Sequence, residues 1–172
     1  MVERRVDILA GVGRADAICC TTNGYTNKSG LAVMGRGTAK VFRDTFPGLA
    51  STLAMSLRQR GNHVAVLGYQ TNTALVSFPV KPTALRLRSR SQVVPHLREQ
   101  YAVGDLVPGY AALATLELVE QSAIELVALA EQEAWLSVWL PRPGCNNGGL
   151  SWSDVQPVLT KHLDDRFTIV HM

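Results

Sequence analysis

Short apolar runs alternate with helical stretches along the chain, and polar, glycine-rich segments separate them. Val2, Val6 and Ile8 stand among charged neighbours and predict a first strand through Leu9. Residues 17–22 (AICCTT) form a continuous run that reads as a buried strand, stopped by Asn23-Gly24. A glycine-rich loop then extends to Gly37. Residues 38–46 have helical spacing and end at Pro47-Gly48; residues 49–60 predict a second helix, closed by Gly61. Two further strands are predicted over 63–69 and 74–78. Between 82 and 114 the pattern fails, because Pro82, Pro95, Pro108 and Gly109 interrupt any long element. Thr115 suits the N-cap of a helix to about Glu133, with Glu117 favourably placed in its first turn. Residues 136–140 predict a strand and 141–149 a second glycine-rich loop. Ser151 or Ser153 caps a last helix, and 167–170 predicts a terminal strand.

Strands that alternate with helices and lead into glycine-rich loops predict a three-layer α/β domain with a mixed, largely parallel central sheet flanked by helices. Ligands of such sheets sit at the carboxyl ends of the strands, where these loops lie. With 172 residues, no repeat and no low-complexity linker, the expectation is one domain over 1–172, with an insertion or lid around 82–114. The 47% hydrophobic and 18% charged content excludes a disordered tail. No apolar run reaches the roughly 18 residues a membrane span needs. The charged start has no signal core, and three cysteines, two of them adjacent, make no disulfide framework. A cytoplasmic monomer that avoids membranes is the expectation.

Charge is unevenly spread beneath the net +3. Residues 1–80 hold nine Lys/Arg against four Asp/Glu, and 81–98 hold five Lys/Arg and no acid. Residues 99–133 hold seven acids and no base. The stretch from Arg86 to Arg98 reads either as a solvated face or as a basic arm near a phosphate or nucleic-acid site.

Two loops carry candidate chemistry. The first spans 22–37 and the second 141–150, each between a predicted strand and a predicted helix. Glycines let a backbone turn sharply and present bare N–H groups, and the helix start that follows adds partial positive charge, so both suit phosphate oxygens. Neither has Walker A or G-x-G-x-x-G spacing. His63, His96, His162 and His171 are scattered and lack partners at ligand spacing, so no metal and no cofactor is expected. Cys19, Cys20 and Cys145 read as packing residues, and no G-x-S-x-G elbow is present.

These residues together resemble a macrodomain, the ADP-ribose-binding α/β module. Val6-Asp7-Ile8 resembles the motif in which Asp recognises the adenine amino group and Ile lies beside the ring. Residues 15–23, ending in Thr22-Asn23, resemble the strand whose Asn contacts the distal ribose. Val33-Met34-Gly35-Arg36-Gly37-Thr38-Ala39 resembles the first ribose and phosphate loop. Residues 140–152, with Pro143, Gly144, Cys145, Asn146, Asn147, Gly148, Gly149 and Leu150, resemble the second phosphate loop.

Within macrodomains, the Met-Gly-Arg-Gly and Gly-Gly-Leu-Ser-Trp forms look most like the branch of DNA ADP-ribosyl glycohydrolase antitoxins. A human relative that removes ADP-ribose from glutamate also belongs to it. That resemblance implies a lysine on the loop after a central strand; Ser77-Phe78-Pro79-Val80-Lys81 makes Lys81 the candidate. The Asp used by the human relative is replaced here by Gly148, and Asn146 stands where glycine is common. The resemblance implies binding of ADP-ribose and hydrolysis of an ADP-ribosyl bond, with Lys81 and Asn23 as catalytic residues and nucleic acid as one possible substrate. ADP-ribose-1″-phosphate phosphatase activity and a non-catalytic reader are the alternatives. A domain whose loops merely turn is the reading outside the resemblance.

Overall fold

The computed structural model describes residues 1–172. Its elements are β1 (Val2–Arg5), β2 (Ala17–Asn23), α1 (Gly37–Thr45), α2 (Leu49–Arg60), β3 (Ala65–Gln70), β4 (Thr73–Lys81), β5 (Ala84–Arg86), β6 (Leu106–Pro108), α3 (Leu116–Gln132), β7 (Val138–Pro141), α4 (Trp152–Thr160) and β8 (Phe167–His171). Six strands form one sheet in the order β1-β8-β7-β2-β4-β3. All neighbours run parallel except β3, which is antiparallel to β4. The carboxyl ends of β1, β8, β7, β2 and β4 therefore open on one edge of the sheet.

Helices cover both faces, which explains why β2 and β4 read as continuous apolar runs rather than alternating ones. Successive residues of β2 feed opposite layers. Ala17 and Cys19 join Phe78, Leu126, Leu159 and Phe167 beneath α3 and α4. Ile18 and Cys20 join Phe42, Leu53, Leu67 and Leu75 beneath α1 and α2. This is the predicted three-layer α/β architecture with a mixed, mostly parallel sheet. No helix is long and apolar enough to cross a membrane.

One expectation needs correction. The first strand does not run through Leu9. It stops at Arg5, and Asp7 caps a short 3-10 turn over Ile8–Gly11 by accepting from Leu9 N–H at 2.8 Å. Gly11 sits so close to the sheet that a Cβ there would lie 2.6 Å from Ile18, so the chain turns onto the sheet face instead of extending it. The stretch from 82 to 114, where no long element was expected, holds only short ones. β5 and β6 pair antiparallel, 3-10 turns occupy Arg90–Gln92 and Pro95–Gln100, and Leu87, Val93, Val94, Val107 and Ala111 form a separate small core. Its elements are too short and its core too local to leave a periodic signal.

Candidate ligand-binding cleft

The edge where the parallel strands end holds a cleft of about 1050 Å³. Asp7 and Ile8 line it, as do Val170 and His171 from β8. Gly35, Arg36, Gly37 and Thr38 of the first loop and Gly144, Cys145, Asn146, Asn147, Gly148 and Leu150 of the second also line it. Thr22, Asn23 and Lys81 line it from the ends of β2 and β4. Three other expected residues lie off the wall. Met34 is 2% exposed and packs in the layer beneath α1 and α2. Pro143 is buried, and a side chain at Gly149 would meet Leu113 rather than the cleft. Their motifs place them at the site, but buried packing and left-handed backbone turn them away.

Asn23 and Lys81 are partners in the parallel register of β2 and β4, so their backbones are one strand spacing apart, about 4.8 Å. The register slips at this point: Thr22 pairs with Pro79, Asn23 with Lys81, and Val80 is the extra residue. The slip coincides with Pro79, which has no N–H for the ladder. Asn23 is 9% exposed, and its amide braces the first loop: Nδ2 donates to the Val33 carbonyl at 2.9 Å, and Oδ1 accepts from Tyr25 N–H at 2.9 Å. Next to it, the Thr22 hydroxyl is buried and has no hydrogen-bond partner.

Lys81 is half-buried. Burial lowers its pKa to about 8, and the neighbouring Arg36 guanidinium adds to the shift. Its Nζ donates to the Tyr110 carbonyl at 3.3 Å, and it has no carboxylate partner.

The two loops differ in how they treat an anion. Ser151 caps α4 through the Asp154 N–H, so that helix satisfies its own start. Arg36 stands at the N-cap of α1 with no side-chain cap, and Gly37, Thr38 and Ala39 of its first turn line the cleft. Their N–H groups lack intrahelical partners, which suits a phosphate. Thr38 ties this turn to β2, its hydroxyl accepting from Thr21 N–H at 3.3 Å. In the second loop Asn146 holds φ of +57°, a left-handed conformation that asparagine tolerates better than most residues, which explains how it stands where glycine is common.

Several wall residues escaped sequence reasoning. Arg142 lies 4.8 Å over the Trp152 ring and pairs with Glu3 at 2.9 Å; a base inside a strand-end loop was its only signal. Val94, His96, Leu97 and Tyr110 come from the 82–114 segment, expected as an insertion or lid but with no individual residue of it singled out for the site. Of the two readings of the basic stretch, the arm finds little support, because its bases are largely engaged within the segment: Arg86 bonds the Gly104 carbonyl, Arg90 pairs with Glu99, and Arg98 bonds the Val93 carbonyl. Arg36, Lys81 and Arg142 face the cleft against one side-chain carboxylate, Asp7. No group of three or more His, Cys, Asp or Glu residues is placed to hold a metal ion. Cys19 and Cys20 are buried free thiols; burial pushes the Cys20 thiol up to about 12. Burial also raises Cys145, on the cleft wall, and Arg142 opposes that shift.

Solved structures show that this mixed, mostly parallel sheet between two helical layers is the macrodomain fold. The chain is similar to the macrodomain of Mycobacterium tuberculosis DarG, at a TM-score of 0.69 and 19% identity over 99% of this chain and 97% of that one. The macrodomain of Thermus aquaticus DarG gives 0.67 and 21%, over 99% and 97%. Thermosipho africanus DarTG, solved in complex with ADP-ribose, gives 0.61 and 17%; 91% of this chain aligns with 38% of that one. No family model and no curated protein matches the sequence.

Proposed function

We propose that this chain binds ADP-ribose in the cleft and hydrolyses an ADP-ribosyl bond at the anomeric carbon of the distal ribose. The observation that carries this reading is a partly desolvated lysine amine, Lys81, in the same cleft as an open helix N-terminus and two glycine loops. The similarity to a protein solved with ADP-ribose supports the choice of ligand. Asp7 and Ile8 take the adenine, the Gly35–Thr38 and Gly144–Leu150 loops with Arg36 take the diphosphate, and Asn23 and the unpartnered Thr22 hydroxyl face the distal ribose. The neutral Lys81 amine forms a bond to the anomeric carbon as the bond to the leaving group breaks, and the proton that the alkylated amine sheds passes to that group. Water then splits the carbon–nitrogen bond, releasing ADP-ribose and restoring the amine. On the order of a tenth of the lysine is neutral at pH 7 if its pKa is about 8.

One observation favours a second reading, a reader that does not turn its ligand over: the Asn23 amide is already engaged on both sides by the first loop. A single experiment separates the two. Wild type, Lys81→Ala and Asn23→Ala are given ADP-ribosylated single-stranded DNA, ADP-ribosylated protein and ADP-ribose-1″-phosphate, and ADP-ribose binding is measured alongside. The hydrolase reading expects turnover of one substrate that rises through about pH 8, is lost in Lys81→Ala with binding retained, and falls about 100-fold in Asn23→Ala. Binding without turnover in wild type leaves the reader. Turnover unchanged in Lys81→Ala removes the lysine from the reaction.

A further inference from the structure

The 82–114 segment touches the cleft where its lysine stands. Lys81 is held at two points. Its backbone carbonyl accepts from Asn62 Nδ2 at 2.9 Å, which fixes the strand end. Its Nζ donates to the Tyr110 carbonyl at 3.3 Å, the one hydrogen bond the amine makes. No carboxylate shares that amine, and the charged group that acts on it is the Arg36 guanidinium at the N-cap of α1. A carbonyl oxygen is well matched to this task. It takes one N–H of either the ammonium or the free amine, adds no charge that would lock the group protonated, and leaves a free amine's lone pair directed elsewhere.

That carbonyl is placed by a tight turn after β6. Gly109 N–H donates to the Thr83 carbonyl at 2.9 Å, and Ala111 N–H donates back to the Pro108 carbonyl at 2.9 Å. Gly109 lies so near the residue after Lys81 that a Cβ on it would overlap the Pro82 carbonyl oxygen. Only glycine lets the turn come this close. The Tyr110 ring anchors the turn from the other side, packed edge-on against Tyr25 of the first loop with centroids 5.3 Å apart. Below it, the small core of Leu87, Val93, Val94, Val107 and Ala111 stiffens the segment.

We propose that the turn at 108–111 is the device that positions the Lys81 amine, with the Tyr110 carbonyl as its contact and Gly109 as the residue that permits the approach, so that the 82–114 segment is part of the site. Tyr110 and Gly109 are positioning residues and touch no reacting atom. The inference rests on the reading above, in which Lys81 supplies the amine.

The test reads Lys81 itself. Trace acetic anhydride labels the full-length protein across pH 6–11, and mass spectrometry gives the titration midpoint of each lysine. Wild type should show Lys81 near 8. In Gly109→Ala the turn is pushed off, the amine regains water, and the midpoint should rise by at least one unit while turnover at neutral pH falls at least tenfold. Tyr110→Ala, which removes the ring anchor and leaves the backbone, should move the midpoint the same way by less, and serves if Gly109→Ala does not fold. Gly104→Ala is the control: it strains the same segment at φ +97° with nothing near its side chain. It should lower thermal stability without shifting Lys81. An unmoved midpoint in both turn variants, or an equal shift in Gly104→Ala, overturns the proposal. Because labelling needs no substrate, a wild type without turnover sinks the hydrolase reading alone.

Discussion

Moving the Lys81 ammonium from water into the cleft strips hydration that one carbonyl only partly replaces, and Arg36 opposes the charge further. The consequence for stability has a definite sign. The folded pKa, about 8, lies below the ordinary lysine value of 10.5. Between these values the unfolded chain binds more protons, so the Lys81 contribution to stability rises with pH across that window and is unfavourable below it. Replacing Lys81 by Met should therefore stabilise the protein at pH 7, by about 2 kcal/mol once partial exposure is allowed for. The advantage should shrink as pH climbs from 8 towards 10.5. Urea unfolding of both proteins at pH 7 and pH 10 checks this; a constant difference would mean that the lysine is not depressed. A group that costs stability where it stands is what a functional site is expected to contain.

At the scale of elements, the three helix starts near the sheet edge are finished differently. Thr115 caps α3 by accepting from Leu118 N–H at 3.2 Å, and Ser151 caps α4 in the same way. Only α1 begins with a residue, Arg36, that cannot cap, and its first turn is the one that faces the cleft together with a guanidinium. Arg36→Ser should separate stability from binding. A serine cap should raise stability by about 1 kcal/mol. It should also weaken ADP-ribose binding at least tenfold, because the helix start becomes occupied and a cation is lost. Thermal melting and isothermal titration measure the two effects. Unchanged affinity would show that neither the guanidinium nor the helix start touches the ligand.

Across the whole molecule, Arg36 and Lys81 at the cleft have no carboxylate partner while Arg142 is paired with Glu3, so with Asp7 as the one lining side-chain carboxylate the cleft is a mildly positive depression in a nearly balanced chain. A diphosphate bound there would owe part of its affinity to long-range attraction, and the Debye length falls from about 14 Å to about 7 Å between 50 and 200 mM salt. ADP-ribose affinity should fall several-fold over that range, and its thermal shift at fixed ligand should fall with it. A salt-independent affinity would point to a site read by shape alone.

Much of the fold was legible because it rests on local chemistry. The run at 17–22 had to be buried on both faces, Gly61 had to close α2, and Thr115 had to open α3, since these follow from composition within a few residues. The loops at 22–37 and 141–150 could be named as candidate phosphate loops because they follow strands and are rich in glycine, and the resemblance to macrodomains singled out Thr22-Asn23, Gly35 to Thr38 and Gly144 to Gly148 within them. What the sequence could not specify depends on distance in space. Val6-Asp7-Ile8 read as strand, yet the close fit of Gly11 against Ile18 turned it aside. Met34 sat in a site motif, yet the layer under α1 and α2 absorbed it. Arg142 stacked on Trp152, and His96 and Tyr110 reached the cleft, through contacts between segments far apart in the chain. By itself the sequence determined the layers, the loops and the type of each candidate group, because periodicity and turn chemistry are local. Which of those groups face one another, and that Lys81 is partly desolvated beneath the 82–114 segment, only the tertiary structure decided, because burial and register are properties of the assembled sheet.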